Sequence, residues 1–302
     1  MRGLRSIVVI ASALAVVAAA CGGAGTSGPK PTVRIASFNF TESHVLGELY
    51  GQTLAANGYT VEYKHRLGNR EIVFPALEKG DIDFVPEYLA TVLAFVTKAT
   101  TKVGDPAEAH KQLQAAVKDR KLTVLSFASA VDTNAFVVTK ATADKHKLKK
   151  MSDLATVAGQ LVLGAPPECP QRPFCILGLQ QTYGIRFKDF KPLDAGGPLT
   201  VAALEAGQVD VGLLFSTDAN ISVKGFVLLE DDKKLQAADN VVPLVRDDLV
   251  AKGGDDFKRL VNGVSAKLTT AELTALNKLV GVDKKDAKDV AADWLKKQGL
   301  VK

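Results

Sequence analysis

Two segments of this chain keep one register 127 residues apart: "ALEKGDIDFVPEY" at Ala76–Tyr88 and "ALEAGQVDVGLLF" at Ala203–Phe215. Each reads as the end of a helix, a glycine that stops it, and a short apolar strand closing on an aromatic ring. Each also carries an acidic residue, Asp83 or Asp210, within the strand. The surrounding text extends the pattern. "TVRIAS", "TVEYKHRL" and "DIDFV" have strand character, while "NFTESHVLGELYGQTLAANGY" and "REIVFPALEKG" read as helices between them. Thr41 or Asn39 is placed to cap the first helix and Gly58 to end it. Such alternation predicts an α/β chain with largely parallel sheet. In open sheets of this kind ligands sit beyond the carboxyl ends of the strands. Two such units in two lobes therefore aim Tyr88 and Phe215 at a shared cleft.

The first set continues through a helix at "PAEAHKQLQAAVKDR" and a strand at "LTVLSFA". "ASAVDTNAFVVTK" then opens a second set, comprising "LVLGAP", "CILGLQQTYG", "TVAALEAG", "VDVGLLF" and "FVLLED". "NVVPLVRDDLV" reads as a return strand. The tail is helical and amphipathic, with Leu273, Leu276, Leu279 and Val280 on one face and Trp294 as a core anchor. The expected organisation is a first lobe over 32–132, a second over 133–241, and a return to the first over 242–302.

Apolar residues make up 47% of the 302 and charged ones 24%, enough for a sizeable core. The net charge is +5, of which Arg2 and Arg5 in the leader contribute two, leaving +3 with both signs interspersed. No basic tract interleaved with aromatics occurs, so nucleic acid is not an expected partner.

The first residues set the compartment. "MRGLRS" is a cationic start, "IVVIASALAVV" an apolar run too short to span a bilayer, and "AAAC" a small-residue site ending in Cys21. This resembles the bacterial lipoprotein box, with Ala18 where leucine is usual. It implies a signal peptide over 1–20, lipidation of Cys21, and anchorage on the outer face of the cell membrane. An ordinary secretory signal with a spare cysteine is the alternative. Cys21 and the "GGAGTSGPKP" that follows it, together 21–31, read as a flexible tether. Outside the cytosol the remaining cysteines, Cys169 and Cys175 in "PPECPQRPFC", are expected to form a disulfide. The four histidines (His44, His65, His110, His146) are scattered along the chain, so neither a metal site nor a cofactor is expected.

Four longer stretches carry a resemblance that reaches nearly the whole mature chain: "SFNFTESHVLGELYGQTLAANGY", "ALEKGDIDFVPEYLATVL", "GQVDVGLLFSTDANI" and "FVLLEDDKKLQAADNVVPLVR". In this order they resemble the solute-binding lipoproteins of bacterial ABC importers for glycine betaine, choline, carnitine and relatives. The resemblance implies a two-lobed type II periplasmic-binding-protein fold with two crossovers and the solute between the lobes. It also implies a monomer that closes on its small-molecule solute and delivers it to an ABC permease. Family members hold a trimethylammonium head in a cage of aromatic rings, since a quaternary cation cannot donate a hydrogen bond and ring faces suit it. Carried over position by position, the "PEY" tyrosine is Tyr88 with Thr91 near it, and the ring before "STD" is Phe215. The cage tyrosine of "NTYAL" is Asn134 here, and the polar residue after "NFTE" is Ser43. A further cage tyrosine has no counterpart in "LTVAAL", which offers Thr200 and Val201. Loss of two rings weakens a cation site by about 1–4 kcal/mol. The resemblance therefore carries the import role further than the substrate. Glu168, Arg172 and Phe174 are candidates to rebuild the site, for a cation, a carboxylate or phenolate, and an apolar wall respectively. Glu42 and His44 start a helix and either face the cleft or favour the helix N-terminus.

An enzyme is the rival class. The chain has no P-loop, no Gly-x-Ser-x-Gly elbow, no His-Glu-x-x-His and no dinucleotide glycine pattern. "GNREIVF" and "AGGPLTV" are glycine turns able to present backbone N–H groups to an anion, which is binding machinery. An incomplete cage also leaves open a non-betaine solute, aromatic, phenolic or polar.

Overall fold

The computed structural model describes residues 30–99, 103–237 and 239–302. The signal peptide, Cys21 and nearly all of the tether lie outside the described residues. Strand β1 (Thr32–Phe38) leads into α1 (Thr41–Ala56), then β2 (Thr60–Gly68), α2 (Arg70–Lys79), β3 (Phe84–Tyr88), α3 (Leu89–Thr97), α4 (Pro106–Val117) and β4 (Leu122–Val124). The chain crosses into a second unit at β5 (Asn134–Val138), α5 (Lys140–His146), α6 (Met151–Leu154) and β6 (Val162–Ala165). That unit continues through α7 (Ile176–Gly178), β7 (Asp189–Pro192), α8 (Pro198–Glu205), β8 (Val211–Phe215), α9 (Asn220–Val223) and β9 (Val227–Leu228). The chain returns through β10 (Val241–Arg246) to α10 (Asp247–Lys267), α11 (Thr270–Asn277) and α12 (Ala287–Lys297).

Two five-stranded sheets result, ordered β2-β1-β3-β10-β4 and β7-β6-β8-β5-β9. In each, four of the five strands point the same way, three of them as adjacent parallel partners, as alternating strand and helix requires. Neither sheet is wholly parallel, because β10 and β5 run antiparallel to their neighbours. Each of these two strands is delivered by a crossover and enters its sheet from the edge where the other strands finish. Val241 thus lies opposite Tyr88, and Asn134 opposite Phe215.

Burial of alternate and periodic apolar residues holds each lobe. Tyr50, Phe84 and Phe257 meet in the first core, with centroids 5.2 and 6.5 Å apart in successive pairs. The C-terminal helices complete that core; Trp294 is buried and its indole N–H donates to Glu272 at 2.8 Å. Leu273 and Leu276 are buried beside it, while Leu279 and Val280 are partly covered. In the second lobe Phe136, Leu163 and Val211 pack on one sheet face, and Val137, Leu204 and Leu214 on the other.

The sequence echo is a structural repeat down to single hydrogen bonds. The carbonyl of Ala76 accepts from Asp81 and Ile82 at 2.9 and 3.4 Å; that of Ala203 accepts from Gln208 and Val209 at 2.8 and 3.4 Å. Gly80 and Gly207 adopt left-handed φ values of 83° and 63°, which only glycine takes without strain. The acids sit one residue ahead of β3 and β8 rather than inside them. The Asp83 carboxylate accepts the Arg34 N–H at 2.9 Å, and the Asp210 carboxylate the Val162 N–H at 2.8 Å. Both therefore clamp a neighbouring strand at the amino end, far from where the rings emerge.

The expected cap of α1 does not form. The helix begins after Phe40, and no side chain of Asn39 or Thr41 caps it, because the strand end fixes where the helix starts. In α8 the Asp194 carboxylate accepts the N–H groups of Leu199 and Thr200, each at 2.9 Å, so that glycine turn is filled from within the chain.

Candidate functional site

The carboxyl ends of β1, β3 and β8 converge. Tyr88 ends β3, Phe215 ends β8, and Phe40 follows β1 by two residues. The Phe40 centroid lies 6.0 Å from Tyr88 and 5.0 Å from Phe215, so it bridges the rings of the two lobes. Phe38 stacks behind Phe40 at 5.9 Å. These rings line one cavity of about 450 Å³ between the lobes. The sequence reading missed Phe40, although its place just past a strand's carboxyl end in "SFNFTE" was the available signal.

Behind the rings lies a buried carboxyl node. Glu42 accepts from the Tyr88 hydroxyl at 2.6 Å, from the Asn277 amide at 2.5 Å and from the Thr217 hydroxyl. It thus joins α1, β3, the segment after β8 and α11, and does not sit free at the helix N-terminus. Asp132, on the outgoing crossover, accepts from the Thr217 N–H and the Ser216 hydroxyl, each at 3.1 Å, and reaches the cavity wall. Burial raises both carboxyls above their ordinary values, and the charge of Glu42 pushes Asp132 further. Burial and the same Glu42 raise the Tyr88 phenol, which stays a donor.

The "PPECPQRPFC" loop forms the facing wall. Cys169 and Cys175 are joined, with Cα atoms 5.3 Å apart. The Phe174 carbonyl accepts from the Asn134 amide at 2.9 Å and from Gln236 at 3.1 Å, and its ring packs against Ala90 and Ala94 of α3. Arg172 reaches across to Glu71 at 2.9 Å and lies 5.7 Å over the Phe95 ring. Among the described residues its buried Nε has no hydrogen-bond partner, nor does the buried Oδ1 of Asn69 on the same lining. Burial, then the neighbouring Arg70, hold the Arg172 guanidinium below its ordinary value. Arg70 itself is committed to Glu87 by two contacts of 2.8 and 2.7 Å.

Of the residues singled out in the sequence, Tyr88, Thr91, Asn134, Glu168, Arg172, Phe174 and Phe215 all line this cavity. Thr91 does so with its polar groups occupied, since the Asp239 carboxylate accepts both its N–H, at 2.8 Å, and its hydroxyl. Ser43 is a correction: it is fully buried away from the cavity, where its hydroxyl accepts the Phe38 N–H at 2.8 Å. Third in α1, it points back onto the strand that precedes the helix. His44 is turned away as well, toward His65 of β2.

Comparison with known proteins agrees with this geometry. A family model for the substrate-binding domain of ABC-type glycine betaine transport systems matches residues 31–297. The carnitine transport binding protein of Listeria monocytogenes is 28% identical over 298 residues, covering 97% of this chain and 95% of that protein. The glycine betaine-binding protein of Escherichia coli is 28% identical over 282 residues, covering 89% and 92% respectively. A crystal structure described as a glycine betaine/carnitine/choline ABC transporter superposes with a TM-score of 0.69 at 26% identity, over 90% of this chain and 99% of that one. The sheet order and the position of the cleft are those of a type II periplasmic-binding fold. This chain belongs to the family of substrate-binding domains of ABC-type glycine betaine transport systems.

Proposed function

We propose that the cleft captures a zwitterionic compatible solute, quaternary amine at one point and carboxylate at another, and presents it to an ABC permease. The observation that carries this reading is the Phe40–Tyr88–Phe215 group, three rings from two lobes within 5.0–6.0 Å on one cavity. Ring faces attract a cation that cannot donate hydrogen bonds, each contact contributing about 0.5–2 kcal/mol. The Asp132 carboxyl lies on the same wall and places oxygen acceptors there. Arg172 brings its guanidinium to the same lining, and a charge-assisted bond from it to a carboxylate is stronger than a neutral one.

A second reading keeps the fold and the import role but gives the site a larger, non-betaine solute. The cavity volume supports it: about 450 Å³ falls in the range of sites for drug-sized ligands, about 300–1,000 Å³, and leaves room beside a small betaine. A thermal-shift panel of betaines, choline, carnitine, ectoines, polyols, sugars and phenolics separates the two. A quaternary zwitterion is expected to raise the unfolding temperature, since ligand at a hundredfold excess over Kd adds about 2.7 kcal/mol. A response confined to phenolics or sugars would overturn the first reading.

Capture without turnover is part of the proposal, and recovery of the bound solute chemically intact tests it. The protein works outside the cytoplasm as a monomer held to the outer face of the membrane by lipid on Cys21. Mass spectrometry of the N-terminus after detergent extraction tests the anchor; an unmodified cysteine would refute it. Among the described residues no helix is long and apolar enough to cross a membrane.

A further inference from the structure

Away from the cleft lining, at the β2 edge of the first sheet, α1 and β2 bring together three side chains that the sequence scatters. His44 and Glu48 are four residues apart on α1 and share one face of it. His65 comes from β2, and its ring centroid lies 4.1 Å from that of His44. One ligand atom from each of the three lies within 4.8 Å of the others. We propose that His44, Glu48 and His65 bind a first-row transition-metal cation, with Zn²⁺ as the leading choice.

Distances, second contacts and exposure all fit. His65 Nε2 is 2.8 Å from Glu48 Oε1, and His44 Nε2 is 4.0 Å from the same oxygen. Tetrahedral zinc with bonds of about 2.0–2.2 Å separates its ligand atoms by roughly 3.4 Å. The two separations from the carboxylate straddle that value, and the two imidazole nitrogens, within 4.8 Å of each other, close on the ion by side-chain rotation. A proton shared between His65 and Glu48 accounts for one of these contacts, whereas His44 stands beyond hydrogen-bond range of the carboxylate. A central cation engages all three.

The surroundings orient the ligands as metal sites require. Glu48 Oε2 accepts from Gln52 at 2.7 Å, and Gln52 is itself held by the Lys288 carbonyl at 2.9 Å. His65 Nδ1 faces the Ser37 hydroxyl at 3.5 Å, which leaves Nε2 for the ion. Tyr63 stacks on the His65 ring at 4.8 Å. A bare strip of α1 makes room for these rings: a Cβ at Gly47 would come 3.3 Å from His65, and one at Gly51 2.4 Å from Tyr63. The two imidazoles are 24% and 20% exposed and Glu48 7%, so the fourth position opens to water. Two imidazoles and one carboxylate suit zinc and its neighbours better than calcium or magnesium, which take oxygen.

The test uses the mature protein stripped with EDTA. Calorimetric titration with ZnCl₂, and visible absorption with Co²⁺, are expected to show one ion per chain. Zn²⁺ is also expected to raise the unfolding temperature. His65→Gln and Glu48→Gln should each weaken binding about tenfold or more, and the more exposed His44→Gln serves if either of those misfolds. His110→Gln should change nothing. No saturable binding of either ion, or binding that survives both His44→Gln and His65→Gln, overturns the proposal. Neither outcome depends on which solute the cleft takes.

Discussion

Phe40 and Ser43 lie three residues apart and separate affinity from stability. Phe40 is a partly exposed ring between Tyr88 and Phe215, so Phe40→Ala is expected to weaken solute binding by about twofold to thirtyfold with little change in unfolding. Ser43→Ala should do the reverse. It strips a buried strand N–H of its acceptor, at about 1–3 kcal/mol, and leaves affinity alone. Titration calorimetry paired with chemical denaturation distinguishes them, and equal effects on both quantities would refute the assignment. Asp239 governs a pH effect. Burial lifts its pKa from 3.8 to about 6 despite the bonds from Thr91. The folded state therefore holds this proton more tightly than the unfolded one. Its stabilisation is fully present below the ordinary value and is lost as pH rises through about 6. The full effect is about 3 kcal/mol, of which roughly 1 returns between pH 7 and pH 5. Asp239→Asn should gain less stability than the native protein over that interval, measured by denaturation midpoints at both pH values. Glu42 and Asp132 act in the same sense and remain in both proteins.

At the scale of elements, much was legible because it follows from local rules. Gly80 and Gly207 ended their helices, strands and helices alternated, and the rings of the echo emerged at carboxyl ends. What escaped the sequence is tertiary. Asp83 and Asp210 took their roles from a neighbouring strand, and Glu42 from partners as distant as Asn277. The pairing of His44 with His65 exists only once β2 lies along α1. Phe40 belongs to neither copy of the echo, so a count of lost rings undervalued the site. The echo extends one step further, to the first turns of α2 and α8. Ile72 and Leu199 are again 127 residues apart and are exposed by 55% and 61%. A large bare aliphatic at the same place on each lobe suits contact with a paired permease. Ile72→Asp and Leu199→Asp are expected to keep solute affinity within about twofold while lowering stimulation of permease ATPase in proteoliposomes. Undiminished stimulation by the double variant would remove these residues from the docking surface.

For the whole molecule, function depends on how the lobes meet. The Glu71–Arg172 pair and the seat of Phe174 on Ala90 and Ala94 both span the cleft, so opening breaks them together. Glu71→Ala removes about 0.2–1 kcal/mol from the closed arrangement. Its apparent affinity should fall by up to about fivefold as the competent population shrinks. Small-angle scattering without solute should show a larger radius of gyration; an unchanged radius would exclude Glu71 as a latch. The crossovers constrain that motion further. Val131 and Asn240 form an antiparallel bridge, the Asp132 N–H donates to Asp239 at 3.1 Å, and the Val241 N–H to Ala130 at 3.0 Å. Departing and returning chain are stitched into one ribbon, which resists torsion while still bending. Rotation of the lobes about this ribbon would keep to one plane, as pages turn on a spine, and would carry Phe215 toward Phe40 along one arc.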